Sequence, residues 1–88
     1  MEISLFDELG NETKYEILTA YKLLKTQKHY MLFTDHTYDE NGRLNIYSAI
    51  YDPNDESVFE EVKSDYELEE VNKRILELRG TYVDRWFS

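Results

Sequence analysis

A short acidic segment near the start of the chain fixes the direction of the backbone on either side of it. Asp7–Glu12 stands between two apolar segments, and it contains Gly10 and Asn11. Both residues tolerate positive φ angles, which the tight turn of a β-hairpin requires. Glu2–Phe6 before the turn alternates apolar and polar side chains, as a half-buried strand does. The chain is therefore predicted to begin with two antiparallel strands.

The second arm of this hairpin, Thr13–Leu24, fits two periodicities. As a strand it places five side chains on one face, namely Tyr15, Ile17, Thr19, Tyr21 and Leu23. As a helix it would align Leu18, Tyr21 and Leu24 instead. Residues with Tyr, Ile and Thr side chains favour the strand, as does the turn that precedes them. We therefore predict a strand and keep the helix as the alternative.

Three further apolar segments are separated by turn residues. His29–Thr34 is a continuous apolar run, Arg43–Tyr51 alternates, and Ser57–Val62 is short. The loop at 35–42 ends in Asn-Gly, and Asp52–Asp55 contains the only proline; both are turn sequences. These segments predict additional strands joined by short connections.

One helix is predicted after the strands. Ser64 and Glu67 have the spacing of a capping box, in which Ser64 accepts from the third helical amide and Glu67 reaches back. An apolar stripe follows at helical spacing, made of Leu68, Val71, Ile75 and Leu78. Gly80 is predicted to end the helix, because glycine is common just after the last turn.

Together these elements predict an α+β fold: an antiparallel sheet of four to five short strands, with one C-terminal amphipathic helix packed on one face. The chain has 88 residues, which is the size of one domain. We assign residues 1–80 to this domain and residues 81–88 to an aromatic C-terminal tail.

The net charge and the amino-acid composition make several classes of ligand and location unfavourable. Nineteen acidic residues face ten lysines and arginines, so the net charge is −9. Repulsion makes direct binding to nucleic acid or to an anionic membrane unfavourable, whereas a basic protein surface suits this charge. The chain has no cysteine, which favours a cytoplasmic location over a small secreted domain. No apolar run is long enough for a membrane span, and the N-terminus lacks the pattern of a signal peptide.

The order of the segments is similar to that of one known family. The chain contains DELGNE, then YEIL, an aromatic strand HYMLFTD, an acidic loop, NIYSAIYD and the acidic segment VFEEVKSDYELEEV. In this order the segments resemble the small bacterial domain of unknown function numbered 1292, over roughly residues 2–79. The resemblance implies a cytosolic bacterial protein, and it assigns no catalytic residue.

One loop carries residues that could bind a metal. Asp35, His36 and Asp39 supply three potential ligands, but their spacing matches neither a zinc motif nor a calcium loop. The glycines at 10, 42 and 80 are too far apart for a phosphate-binding loop, and no serine has the surroundings of a nucleophile. We therefore predict no metal site, no cofactor and no enzymatic activity.

A second group of candidate residues lies between Asp52 and Glu70, where nine carboxylates accompany one lysine. Such a run is usually a solvated surface, and here two acids can pair along the helix, Glu69 with Lys73 and Glu70 with Arg74. The predicted partner surface comprises Glu60, Glu61, Asp65, Glu69, Glu70, Trp86 and Phe87. The two aromatic residues could instead dock on the domain itself.

A third group is basic. Lys22, Lys25 and Lys28 lie near Tyr21 and Tyr30, a mixture that can bind single-stranded nucleic acid. Three lysines in a chain of net charge −9 are a weak footprint for that function. A basic rim that protects an edge of the sheet explains them better.

The sequence thus favours an uncharacterised, non-enzymatic protein-interaction module that acts through an acidic surface. Its partner is expected to be another protein with a basic surface. Three alternatives remain open. One is a self-associating structural protein, such as a homodimer, and another is an acidic nucleic-acid mimic that blocks a basic groove. The third is a small enzyme or metal protein centred on Asp35, His36 and Asp39.

Overall fold

The computed structural model describes the backbone of residues 1–87 and the side chains of residues 1–80. Five strands follow one another along the chain, and a helix follows them: β1 Glu2–Phe6, β2 Glu12–Leu23, β3 Lys28–Thr34, β4 Tyr47–Asp52, β5 Asp55–Glu60 and α1 Asp65–Phe87. The strands form one sheet in sequence order, and each neighbouring pair is antiparallel. The predicted α+β class and its sheet-plus-helix arrangement are confirmed.

The first turn forms as the sequence predicts. Gly10 has a φ angle of +83°, and its amide donates to the Asp7 carbonyl at 3.0 Å. The Asp7 carboxylate accepts the amides of Leu9 and Asn11, each at 2.9 Å. These bonds, led by the one from the Asn11 amide, lower the pKa of Asp7. The residues between β1 and β2 therefore satisfy their own backbone groups locally.

The fourth strand begins later than the alternation predicts. It starts at Tyr47 rather than Arg43, and the preceding residues belong to the loop between β3 and β4. Within that loop Tyr38 and Leu44 form an isolated bridge. Asp39 accepts the Arg43 amide at 2.9 Å, which closes a turn that contains Gly42 at φ +76°. Local side-chain bonds thus compete with the ladder at this position.

A register shift in β2 divides that strand between the two faces of the sheet. Ile17 pairs with Phe33, whereas Thr19 pairs with Leu32, so Leu18 is an extra residue. One extra residue reverses which face all later side chains occupy. The prediction that Tyr15, Ile17, Thr19, Tyr21 and Leu23 share one face is therefore wrong. Strand formation itself is confirmed.

The two faces carry separate apolar clusters. The helix-side core contains buried residues of the sheet, of α1 and of the connection between them, with Tyr21 and Leu23 packed against it: Tyr30, Leu32, Ile50, Val62 and Val71. Among the described side chains, the buried residues of the far-side core come from β3 and β4: Met31, Phe33 and Ala49. Its partly buried neighbours also come from strands, namely Ile3, Leu5, Tyr15, Ile17 and Tyr51. The helix therefore packs on one face, as predicted.

The helix departs from prediction at its C-terminal end and in the extent of its buried stripe. Gly80 does not end it, because α1 continues to Phe87. Glycine permits a helix end without imposing one, and its cost inside a helix is only about 1 kcal/mol. Leu68 is 38% exposed, so the buried stripe does not begin there. The division into a domain at 1–80 and a tail at 81–88 stays a prediction.

Candidate functional site

Most of the predicted partner surface lies where β5 passes into α1. Glu60 and Glu61 are exposed at the end of the sheet edge, and Asp65 is exposed in the first helical turn. Glu69 is exposed one turn later, and Glu70 is partly buried. The chain thus carries these five carboxylates along one connection and the helix that follows it.

The five carboxylates differ in how they are paired. Lys73 approaches Glu69 at 3.9 Å and Glu70 at 3.4 Å. The predicted pair of Glu70 with Arg74 does not form, because the Arg74 guanidinium lies 4.7 Å from the centre of the Tyr21 ring. The first prediction, Glu69 with Lys73, is confirmed.

The remaining three carboxylates are unpaired. Glu60, Glu61 and Asp65 make no side-chain hydrogen bond or ion pair with any residue whose side chain the structure describes. We call these three residues the acidic junction. Asp65 also interacts favourably with the positive end of the helix dipole. The acidic junction therefore presents three carboxylates that form no ion pair with a cation of residues 1–80.

A further carboxylate, Glu67, is buried at 6% exposure beneath the helix start. It accepts a hydrogen bond from the hydroxyl of Tyr30, which is fully buried, and one from the Ser64 hydroxyl at 2.8 Å. The Lys28 ammonium lies 3.6 Å from it. A buried charge is tolerated only when its hydrogen-bonding capacity is met in this way. This cluster of Tyr30, Ser64, Glu67 and Lys28 ties the helix to β3.

The same contacts shift two pKa values in opposite directions. The hydrogen bond from Tyr30 lowers the pKa of Glu67, because it favours the ionised carboxylate. Burial, followed by the hydrogen bond to Glu67, raises the pKa of Tyr30 to about 12. Glu67 is therefore ionised and Tyr30 neutral at neutral pH. That arrangement is structural, since both groups are closed off from solvent in the fold.

The capping box is confirmed in one half only. The Glu67 amide donates to the Ser64 hydroxyl at 3.1 Å, as predicted. The Glu67 side chain reaches back to the Ser64 hydroxyl rather than to its backbone amide. Glu67 can do this because it also faces the sheet. The sequence led us to expect Glu67 in solvent at the start of the helix. Its four-residue spacing from Val71 could have indicated that it lies on the buried side instead.

The basic residues near Tyr21 contact the start of α1. Lys25 lies 4.3 Å from the centre of the Tyr66 ring, and Lys28 faces Glu67. Two of the three lysines in the predicted basic rim therefore stabilise the packing of the helix on the sheet. This use leaves less positive charge available for an external ligand.

The candidate metal-binding residues engage separate partners. Asp35 accepts the Thr37 amide at 3.0 Å, His36 Nε2 lies 2.8 Å from a Glu16 carboxylate oxygen, and Asp39 closes its own turn. The hydrogen bond from the Thr37 hydroxyl is the main cause that lowers the pKa of Asp35. Among the residues that the structure describes, no three His, Asp or Glu side chains converge as a metal site would require.

Four aromatic rings meet on the far side of the sheet, one from each of β2 to β5. Phe33 lies at their centre, with its ring 5.2 Å from Tyr15, 5.9 Å from Tyr47 and 5.9 Å from Phe59, measured between centroids. We call these residues the aromatic cluster. Tyr47 and Phe59 are each 40% exposed, whereas Phe33 is buried. Sequence reasoning missed the cluster, because pairing across strands is needed to bring the four rings together.

An open groove of about 520 Å³ runs around the adjacent end of the sheet. Its walls come from both faces and from α1, and they include Leu5, Tyr15, Phe33, Ile46, Tyr47, Ser48, Glu61, Val62, Leu68, Val71, Asn72 and Ile75. Among the residues whose side chains are described, Glu61 is the one charged residue in this lining. The groove therefore connects the aromatic cluster to the acidic junction.

Two predicted surface residues cannot be placed. The side chains of Trp86 and Phe87 lie outside the part of the chain that the structure describes. The described part contains no helix with the length and hydrophobicity that a membrane span requires.

The fold and the site define a small acidic α+β protein, a five-stranded antiparallel sheet with one helix, a buried carboxylate and an exposed aromatic cluster. The chain belongs to the family described as "Protein of unknown function (DUF1292)", which matches residues 8–79. The predicted resemblance is thereby confirmed. No curated protein and no solved structure is significantly similar to the chain.

Proposed function

We propose that the chain is a non-enzymatic protein-interaction module that binds a partner with a basic surface through the acidic junction. The observation that carries this proposal is that Glu60, Glu61 and Asp65 are exposed and unpaired within the described residues. An exposed carboxylate without an internal cation retains its attraction for an external one. The net charge of −9 adds a long-range field that speeds the approach of a basic partner.

In this proposal Glu69 and Glu70 contribute less to the binding of the partner than the acidic junction does. Lys73 already lies near Glu69 and Glu70, so part of their charge is offset within the helix. We therefore expect these two residues to affect the association rate more than the stability of the complex. Trp86 and Phe87 remain candidate contacts with the partner, and substitution of each residue would test them.

The absence of enzymatic activity is also part of the proposal. The carboxyl groups whose pKa values are lowered are held in structural bonds. Asp7, Asp35 and Asp39 accept backbone amides in turns, and Glu67 is closed beneath the helix. A general acid or base would need access to a substrate.

The test compares two variants that change the net charge equally. The junction variant carries Glu60→Gln, Glu61→Gln and Asp65→Asn, and the control variant carries Glu2→Gln, Glu8→Gln and Glu40→Gln. Each replaces three exposed acids, so each moves the net charge from −9 to −6, since −9 plus 3 is −6. Immobilised wild type and both variants are exposed to soluble protein from the source cell, and bound proteins are eluted with rising salt.

The wild type and the control variant should retain the same basic proteins, and the junction variant should lose them. Elution should occur at moderate salt, because screening shortens electrostatic interactions to roughly 10 Å at 0.1 M. Equal retention by both variants would show that only the net charge matters. No retention by the wild type at low salt would refute the interaction module.

A further inference from the structure

The far side of the sheet offers a surface that the acidic junction alone does not explain. Every apolar residue in and around the far-side core belongs to a strand, whereas the helix-side core includes Val71 of α1. Phe33 is buried there by neighbouring rings of the same sheet. Tyr47 and Phe59 are half-exposed and form the outer surface of the aromatic cluster.

We propose that the aromatic cluster docks a segment of a partner protein in which lysine or arginine residues flank an aromatic or aliphatic side chain. The inference rests on the proposed function and adds the chemistry of the partner's contact segment. Aromatic residues with one exposed face are favourable contacts at protein interfaces, because they bury large area with little loss of conformational freedom.

Charge complementarity selects a basic segment. Glu61 lines the same groove as Tyr47 and Phe33, and the Asp35 carboxylate accepts the Tyr47 hydroxyl at 3.2 Å. One carboxylate thus contacts Tyr47 and a second lies in the groove that Tyr47 lines, while the groove lining within the described residues contains no lysine or arginine. A cation on the docked segment would meet negative charge while the adjacent apolar side chain contacts the rings.

The same charges disfavour other occupants of this surface. A second copy would bring an equal net charge of −9 against the first and would be repelled at low salt. A nucleic acid would bring phosphates beside Glu61 and Asp35, and stacking on the rings would have to overcome that repulsion. A volume near 520 Å³ suits one or two side chains of a peptide.

The experiment selects short randomised peptides displayed on phage against the full chain at low salt. Enriched peptides are synthesised with a fluorophore, and their dissociation constants are measured by anisotropy. Four variants form two matched pairs of a test and a control. Phe59→Ser is compared with Leu76→Ser, which replaces a residue 68% exposed on α1. Glu61→Gln is compared with Glu8→Gln, which removes one exposed acid between β1 and β2. Amide chemical shifts of the wild type with peptide give a second readout that needs no substitution.

Enriched peptides should combine a basic residue with an aromatic or aliphatic neighbour. Phe59→Ser should weaken binding about tenfold or more, as loss of a central contact does. Glu61→Gln should weaken it by a few-fold, and the two control variants should bind as the wild type does. Shifted amides should lie around Tyr15, Phe33 and Tyr47. If Phe59→Ser fails to fold, Glu61→Gln and the shift map decide the question.

The failures of the two proposals are distinguishable. Basic peptides without apolar residues, bound equally by wild type and Phe59→Ser, would overturn docking on the aromatic cluster and leave the acidic junction as the site. Peptides without basic residues, or no enriched peptide, would overturn both. Light scattering that shows a dimer, with Phe59→Ser returning it to a monomer, would identify a second copy as the occupant and overturn the basic segment.

Discussion

Replacing Glu67 with glutamine should destabilise the fold substantially, although the substitution keeps the shape of the side chain. In the wild type the carboxylate accepts hydrogen bonds from Tyr30 and Ser64 and faces the Lys28 ammonium. Glutamine retains one acceptor oxygen but turns a donor NH₂ group toward the other partners. The two charge-assisted bonds therefore cannot both be kept.

The magnitude follows from the number of bonds affected. A hydrogen bond to a charged group contributes about 1.5–3 kcal/mol, and a neutral bond about 0.5–1.5 kcal/mol. Weakening two such bonds should cost about 2 kcal/mol for Glu67→Gln. A domain of this size has a total stability of roughly 4–13 kcal/mol. The expected decrease in Tm is then about 8–16 °C, because 1 kcal/mol corresponds to about 4–8 °C in a small domain.

Urea unfolding followed by circular dichroism measures the effect. Glu69→Gln serves as the control, because Glu69 is exposed and lies 3.9 Å from Lys73, so its loss should change stability by less than about 0.5 kcal/mol. Combining Glu67→Gln with Tyr30→Phe should give less than the sum of the single effects. If Glu67→Gln is as stable as the wild type, the cost of burying the charge equals what its bonds contribute, and the reasoning is wrong.

Three further outcomes are expected. The pKa of Glu67 is lowered below its usual 4.5, so the stability that its charge contributes is present above pH 4.5 and is lost as pH falls through the pKa of the folded state. Urea titrations should therefore give similar free energies of unfolding for wild type and Glu67→Gln at acidic pH. Gly80→Ala should raise the free energy of unfolding by about 0.5–1 kcal/mol, because the helix continues through that residue. Gly10→Ala should lower the free energy of unfolding by a similar amount, because Gly10 has a φ angle of +83°. Unchanged or reduced stability of Gly80→Ala would contradict the continuous helix. Deleting Leu18, the extra residue, keeps the other pairings of β2 with β3, so Tyr21 and Leu23 stay in the helix-side core. Thermal melts should therefore show a folded protein destabilised by at most roughly 1–3 kcal/mol, and complete unfolding would contradict this account of the bulge.

Local patterns in the sequence predicted those parts of the fold that local chemistry determines. The Asp7–Glu12 turn depends on a glycine at positive φ and on one carboxylate that accepts nearby amides. The start of α1 depends on Ser64, which caps the amide three residues later. Both interactions involve residues at most four positions apart, so a linear sequence is sufficient to see them.

Interactions between distant residues could not be predicted in this way. Tyr30 and Glu67 are separated by 37 positions, and their hydrogen bond follows from how the helix lies across β3. The shift at Leu18 depends on pairing with β3, because alternation within β2 alone gives no reason to interrupt it. The aromatic cluster has the same origin: four rings on four strands become neighbours only once the register is set.

The two faces of the sheet differ in how their apolar cores are covered. On the helix side, apolar contacts, the buried Glu67 cluster and the cation over Tyr66 all hold α1 in place. On the far side, Phe33 is buried by rings that belong to the sheet itself, so a covering layer is not needed to exclude water from the centre. Tyr47 and Phe59 can then remain half-exposed at little cost to folding. The proposed docking of a partner segment on this face therefore requires no unfolding of the sheet.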